Sequence, residues 1–344
     1  SPAQVKALTA EQVKLLSATQ LNFMSNAQIQ ALEVGDVGGM TAAQLKGLGE
    51  DQLKAMNKDQ ITGLSAAQLK VLTPDQISNI DASFIADIAV DKFKALSDKQ
   101  ITKLGDAQVQ ALTEDQIKSM SASQLKGFTA AQIKLLDSTQ IGALSGKQLA
   151  SFSADQIKAL KPEQVSKLDT EQIQALTAKQ IQSLEELQVK ALEETQIQDL
   201  TKGQAKALTA TQVDWLSDEQ VSWLQDEDLQ QLGTAQLKAL DVTKLTDTQV
   251  KAMKYTQIAA LDDTQINALT TDALSAMGAE QVKGLTTAHL TALDDKVKHI
   301  DADALSKLSA TQIKALTEDG IANLTSDQFA KLGHPNIWWN NLSG

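Results

Sequence analysis

The chain has 344 residues, no Cys and only 3% Phe, Trp and Tyr, too few aromatic side chains for the two or three globular cores its length would ordinarily imply. All 31 basic residues are Lys, set against 43 carboxylates for a net charge of −12, which argues against nucleic-acid binding and against attraction to anionic membranes. No apolar run reaches the roughly 18 residues of a membrane span, and the lack of Cys leaves the redox compartment open.

From the first residue the sequence falls into octapeptides: Ser1–Leu8 (SPAQVKAL), Thr9–Leu16 (TAEQVKLL), Ser17–Met24 (SATQLNFM). The register already runs at Ser1 with no leader-like segment, as expected of a fragment of a longer protein. It holds over 1–240, with irregular units at 33–40 and 81–96, and continues over 241–332 with register breaks at 241–245 (DVTKL) and 294–300 (DDKVKHI). The last stretch, 333–344 (GHPNIWWNNLSG), does not follow the repeat and is expected to cap the end of the array.

The consensus is [S/T/D]-x-x-Q-[I/V/L]-K-x-L. Position 8 is Leu, Met, Ile or Phe in all 40 octads, position 4 is Gln in 32, and position 1 is Ser, Thr, Asp or Asn in 29. A capping residue followed three places later by Gln is a capping box, in which each side chain satisfies the other residue's backbone N–H. Gln12, Gln132, Gln172 and Gln312 are representative structural caps. Pro2, Pro74 and Pro162 all fall at position 2, the first helical residue in this register, where a missing N–H costs nothing.

One long helix is excluded by rotation. Eight residues at about 100° each leave a drift of roughly 80° per octad, so positions 5 and 8 would wind around the axis. Strands are disfavoured by the Ala, Gln, Lys and Leu content and by the lack of alternation. Each octad is therefore a very short capped helix plus a turn. Such a helix is far too short to stand alone, so successive units must share a core built from positions 5 and 8. The expected fold is all-α: a solenoid, or superhelix, of about forty octapeptide repeats. Position 7 is usually small, which predicts tight contacts between coils. The number of octads per coil and the handedness are not readable from the pattern.

The irregular places are where a localised function would sit. Glu33–Met40 (EVGDVGGM) reads as a flexible or degenerate unit, and Asp81–Leu96, with Phe84 and Phe93, as a locally larger core. The two short units should change the pitch or introduce a kink. Trp215 and Trp223 occupy position 7 in adjacent octads, either filling gaps between coils or forming a patch for a protein or a surface glycan. Trp338 and Trp339 belong to the terminal segment, as part of its cap or as a further candidate contact.

Catalytic signals are absent. His289, His299 and His334 share no ligand spacing, and His289 simply replaces the repeat Gln. There is no Cys nucleophile, no HExxH and no EF-hand loop, so no metal, cofactor or catalytic residue is expected. The acid pairs Asp262–Asp263 and Asp294–Asp295 start units and read as caps, with weak Ca²⁺ binding as the alternative. Asn323-Leu-Thr and Asn341-Leu-Ser match the glycosylation sequon, a motif that arises easily by chance. A base-by-base nucleic-acid code would need variable reading positions and a basic surface, and this chain has neither.

The strings Ala131–Leu136 (AQIKLL) and Ser309–Thr317 (SATQIKALT) resemble the AQIxALT-type repeat tracts of large proteobacterial secreted and surface proteins, adhesin-like chains of the type I secretion class among them. The resemblance covers nearly all of the chain up to Leu332. It implies a bacterial protein that is secreted or held at the cell surface, although the glycine-aspartate nonapeptides of such proteins' export ends are lacking. The expected function is a non-enzymatic structural scaffold or spacer. The alternative is a solenoid that binds protein or peptide, a secreted effector or adhesion module using a groove or the Trp patch.

Overall fold

The computed structural model describes residues 1–332, and Trp338, Trp339 and His334 lie outside them. Forty α-helices and two 3₁₀ helices follow one another, with no strand among the described residues. The α-helices are four to seven residues long, as in Pro162–Val165 and Thr287–Leu293. The chain is an α-solenoid of octapeptide repeats, as the period requires.

Each helix begins where the capping register puts it. Thr129 caps the helix Ala130–Leu135: its Oγ1 accepts the Gln132 N–H at 3.2 Å, while Gln132 Oε1 accepts the Thr129 N–H at 2.8 Å. All three repeat prolines occupy the first helical position. The turn between helices is made by two extended residues. Leu16 (φ −68°, ψ 136°) ends one helix and Ser17 (φ −70°, ψ 157°) caps the next. No left-handed residue is needed to reverse the chain, and Asp294 (φ 48°) is the one non-Gly residue with positive φ among those described.

The chain divides into two compact units, Ser1–Ala175 and the residues from Leu176 onward. In both, the core is the double row from positions 5 and 8, such as Ile133 with Leu136 and Val221 with Leu224, all 3% exposed or less. Each helix packs on the helix three octads away. In the first unit Ala10–Leu15 packs on Val34–Gly39, and in the second Ala210–Asp214 packs on Thr234–Ala239. Hydrogen bonds described below reach four octads away, so one coil takes between three and four octads.

The contact between coils explains the small residues at position 7, which rests on position 2 of the octad three before it. A Cβ added at Gly47 would lie 2.7 Å from the Ala18 Cβ, and one at Gly284 would lie 2.2 Å from the Tyr255 carbonyl oxygen.

The irregular units keep this architecture. Glu33–Met40 contains an ordinary helix, Val34–Gly39, despite its departures from the consensus. Asp81–Leu96 forms two four-residue helices; Phe93 is fully buried, whereas Phe84 is only half-buried.

Candidate interaction surface

The position-4 Gln does more than cap its own helix. Gln132 Nε2 donates to the carbonyls of Ile101 (3.1 Å) and Leu104 (2.8 Å), 31 and 28 residues earlier. These carbonyls come from positions 5 and 8 of the octad four units back, where a helix end leaves C=O groups without partners. One amide therefore closes the N-terminus of its own helix and the C-terminus of another. The same pair of bonds recurs at Gln44, Gln60 and Gln172 in the first unit and at Gln212, Gln220 and Gln236 in the second. Gln60, Gln172 and Gln220 are each 1% exposed. Burial at this level demands that every polar atom be paired, and the ladder pairs them.

Of the caps singled out from the sequence, Gln132, Gln172 and Gln312 hold both roles, the last reaching Val282 and Leu285 at 2.9 and 2.7 Å. Gln12 lies in the first coil, where it caps Thr9 but has no carbonyl acceptor for its Nε2 among the described residues.

The ladder also runs past both short units. Beyond 241–245, Gln249 bonds Val221 and Leu224, 28 and 25 residues earlier, each spacing shorter by the three residues the unit lacks. Beyond 294–300, Gln312 bonds 30 and 27 residues back, shorter by one. Each short unit takes the place of one octad and supplies two core residues, Val242 with Leu245 and Val297 with Ile300.

Where Gln is replaced, the substitute shows what the site requires. His289 Nδ1 accepts the Thr286 N–H at 3.2 Å, and Nε2 faces the Leu261 carbonyl at 3.0 Å, 28 residues earlier. The tautomer protonated at Nε2 reproduces the cap and the position-8 carbonyl bond, so His289 belongs to the ladder. Lys92 Nζ donates to the Thr62 carbonyl at 2.6 Å, 30 residues back. Asp36 accepts the Glu33 N–H at 2.9 Å and has nothing to donate. Asp228 is likewise buried, and its pKa is pushed up to about 6, chiefly by loss of solvent and then by the neighbouring Glu227, against the pull of Lys202.

Trp215 and Trp223 are both half-buried at the C-terminal ends of successive helices, Ala210–Asp214 and Asp218–Trp223. Trp223 lines an open groove of about 450 Å³ together with Gln198, Gln225, Asp226, Glu227 and Thr246. Trp215 is not part of that lining. The groove lies beside the five-residue unit and carries two carboxylates, so it suits a neutral or basic ligand. Among the described residues no group of three or more His, Asp or Glu could hold a metal ion, and no helix is long and apolar enough to cross a membrane.

The fold and its ladder define a repeat protein of the α-solenoid class. A family model described as the ALTTAQ repeat matches residues 29–66 and 149–186. None of the curated proteins compared with the chain matches it. A crystal structure of an engineered protein aligns over 100% of this chain and 93% of that one at 15% identity, with a TM-score of 0.24.

Proposed function

We propose that the chain is a non-enzymatic scaffold or spacer within a bacterial secreted or surface protein. The observation that carries this reading is the fate of the repeated polar residue. Gln132 and its equivalents in the later coils turn their amide oxygen to the helix cap and their Nε2 to carbonyls of another coil, pointing inward and not towards a ligand. The repeat resemblance supports the bacterial, exported setting. A second reading, a binding solenoid, is favoured by the groove at Trp223.

A length-preserving exchange separates the two. Glu193–Leu232 is replaced by a second copy of Ser97–Leu136, which removes both Trp215 and Trp223 and keeps the octad count. In the parent protein, a spacer should still display a reporter domain at the cell surface with unchanged accessibility and unchanged attachment to its target. Loss of attachment with intact display and helicity would overturn the spacer reading in favour of the groove.

A further inference from the structure

Position 4 lacks Gln in eight of the 40 octads, and the ladder meets these gaps in different ways. At Lys92 and His289 the substitute itself reaches a carbonyl of an earlier coil. At Gly320 there is no room for one, since an added Cβ would stand 3.0 Å from the Asp294 carbonyl oxygen. At Ala304 neither holds. Its octad folds normally around the helix Ala302–Leu305, with Asp301 Oδ1 accepting the Asp303 and Ala304 N–H groups at 2.8 and 3.3 Å. Ala304 is 4% exposed, and its side chain ends at Cβ, well short of the next coil.

The gap has a definite chemistry. Gln312, in the next octad, bonds carbonyls 30 and 27 residues earlier, and the same spacing from Ala304 gives Leu274 and Met277. Met277 is 1% exposed, yet among the described residues no donor reaches its carbonyl, and the Asp301 N–H has no acceptor. These are the groups a ladder Gln serves: its Oε1 takes the N-cap N–H, and its Nε2 takes the carbonyls of positions 5 and 8. An open pocket of about 400 Å³ lies here, with Met277, Ala304, Asp301, Asp303, Lys251 and Lys307 in its lining. Two carboxylates and two lysines balance, so the lining favours neither sign of charge. A buried carbonyl left unpaired costs free energy that a bound N–H donor recovers.

We propose that the gap at Ala304 is a binding site for a primary carboxamide, presented by a Gln or Asn side chain of a partner protein. The NH₂ group donates to the Met277 and Leu274 carbonyls, and the amide oxygen accepts the Asp301 N–H. The ligand thereby completes a rung that the chain itself leaves out. A carboxylate has nothing to donate to the carbonyls, and an ammonium group cannot accept from Asp301, so the neutral amide alone matches both ends. The pocket is open at the surface and larger than one amide group, which lets the amide arrive on a side chain. This site shares no lining residue with the groove at Trp223, and it goes beyond the spacer reading.

The test is amide NMR on the full chain with three probes: acetamide, which matches a Gln side chain beyond Cβ, N-acetylglutamine N-methylamide, and N,N-dimethylacetamide. The Asp301 and Gly278 N–H signals should shift saturably with the first two. The third has no N–H to donate and should leave them in place. Ala304→Gln supplies the rung from within the chain, as other octads do. It should keep its helicity by far-UV circular dichroism and bind both amides at least tenfold more weakly. No saturable shift with either amide overturns the proposal, as do equal shifts with N,N-dimethylacetamide or binding that survives Ala304→Gln. A response to acetamide without one to N-acetylglutamine N-methylamide would assign the site to free amides and overturn the partner side chain.

Discussion

Glutamine's amide has an acceptor and two N–H donors, and at Gln132 the solenoid uses all three. Replacing Gln132 by Ala strands the Thr129 N–H and the Ile101 and Leu104 carbonyls in a buried setting. That should cost about 2–4 kcal/mol in guanidinium unfolding followed by circular dichroism. Gln12→Ala loses only an exposed cap and should cost about 0.5–1 kcal/mol by the same measurement. Equal costs would mean that the bond between coils contributes nothing. Asp228 gives the reverse case. Its pKa rises from 3.8 to about 6 on folding, so the folded state holds the proton more tightly than the unfolded chain. The stability this proton confers is complete below pH 3.8, falls as pH climbs to about 6, and is gone above that. Asp228→Asn should therefore stabilise the protein at pH 7 by about 1–3 kcal/mol and have little effect at pH 3. Denaturation midpoints at the two pH values check it, and a pH-independent difference contradicts it.

At the scale of the single element, the helices survive at four to seven residues because their ends are closed, even where the sequence is a poor helix former. The unit Glu33–Met40 illustrates this, holding a helix with Gly35, Gly38 and Gly39 in it. A Cβ at Gly35 or Gly38 would meet nothing within 4 Å. Gly35→Ala with Gly38→Ala should raise stability by about 1–2 kcal/mol, since Ala loses less backbone freedom on folding. Gly284→Ala should lower it by about 1–3 kcal/mol, because the Tyr255 carbonyl oxygen stands 2.2 Å from the new Cβ. Thermal melts of the two variants should move in opposite directions. The octad, its cap and its two core positions were legible in the sequence because all three are local: cap and Gln are three residues apart, and so are the two core residues. The second bond of Gln was missed, although a trace of it is present. A cap alone would accept Glu as readily as Gln, yet this acid-rich chain has no Glu at position 4 in any octad. Glu accepts the N-cap N–H but cannot donate to a carbonyl, whereas His289 can do both.

Across the whole molecule, what holds the coils is short-range and repeated. Ion pairs between coils, such as Lys58–Asp87 at 2.7 Å and Lys244–Asp218 at 2.6 Å, are exposed and contribute little. The work falls to the apolar double row and the Gln ladder, which passes the units at 241–245 and 294–300 with its spacings shortened by the missing residues. The number of octads per coil was not legible, because it depends on how one short helix crosses the next and leaves no mark in an eight-residue period. Trp215 and Trp223 were legible as exceptions to position 7, but only the structure separates them, placing Trp223 alone on the groove. The most direct test of the coil uses the natural absence of Cys. Position 2 of one octad and position 7 of the octad three later meet at Ala10 and Gly39, where the Cβ atoms would be 3.5 Å apart, a separation suited to a disulfide. The pair Ala10→Cys with Gly39→Cys should oxidise to an intramolecular bond, while Ala10→Cys paired with Ala31→Cys or with Gly47→Cys, one octad short or long, should stay reduced. Closure of all three pairs alike, or of a shifted pair alone, would contradict the coil.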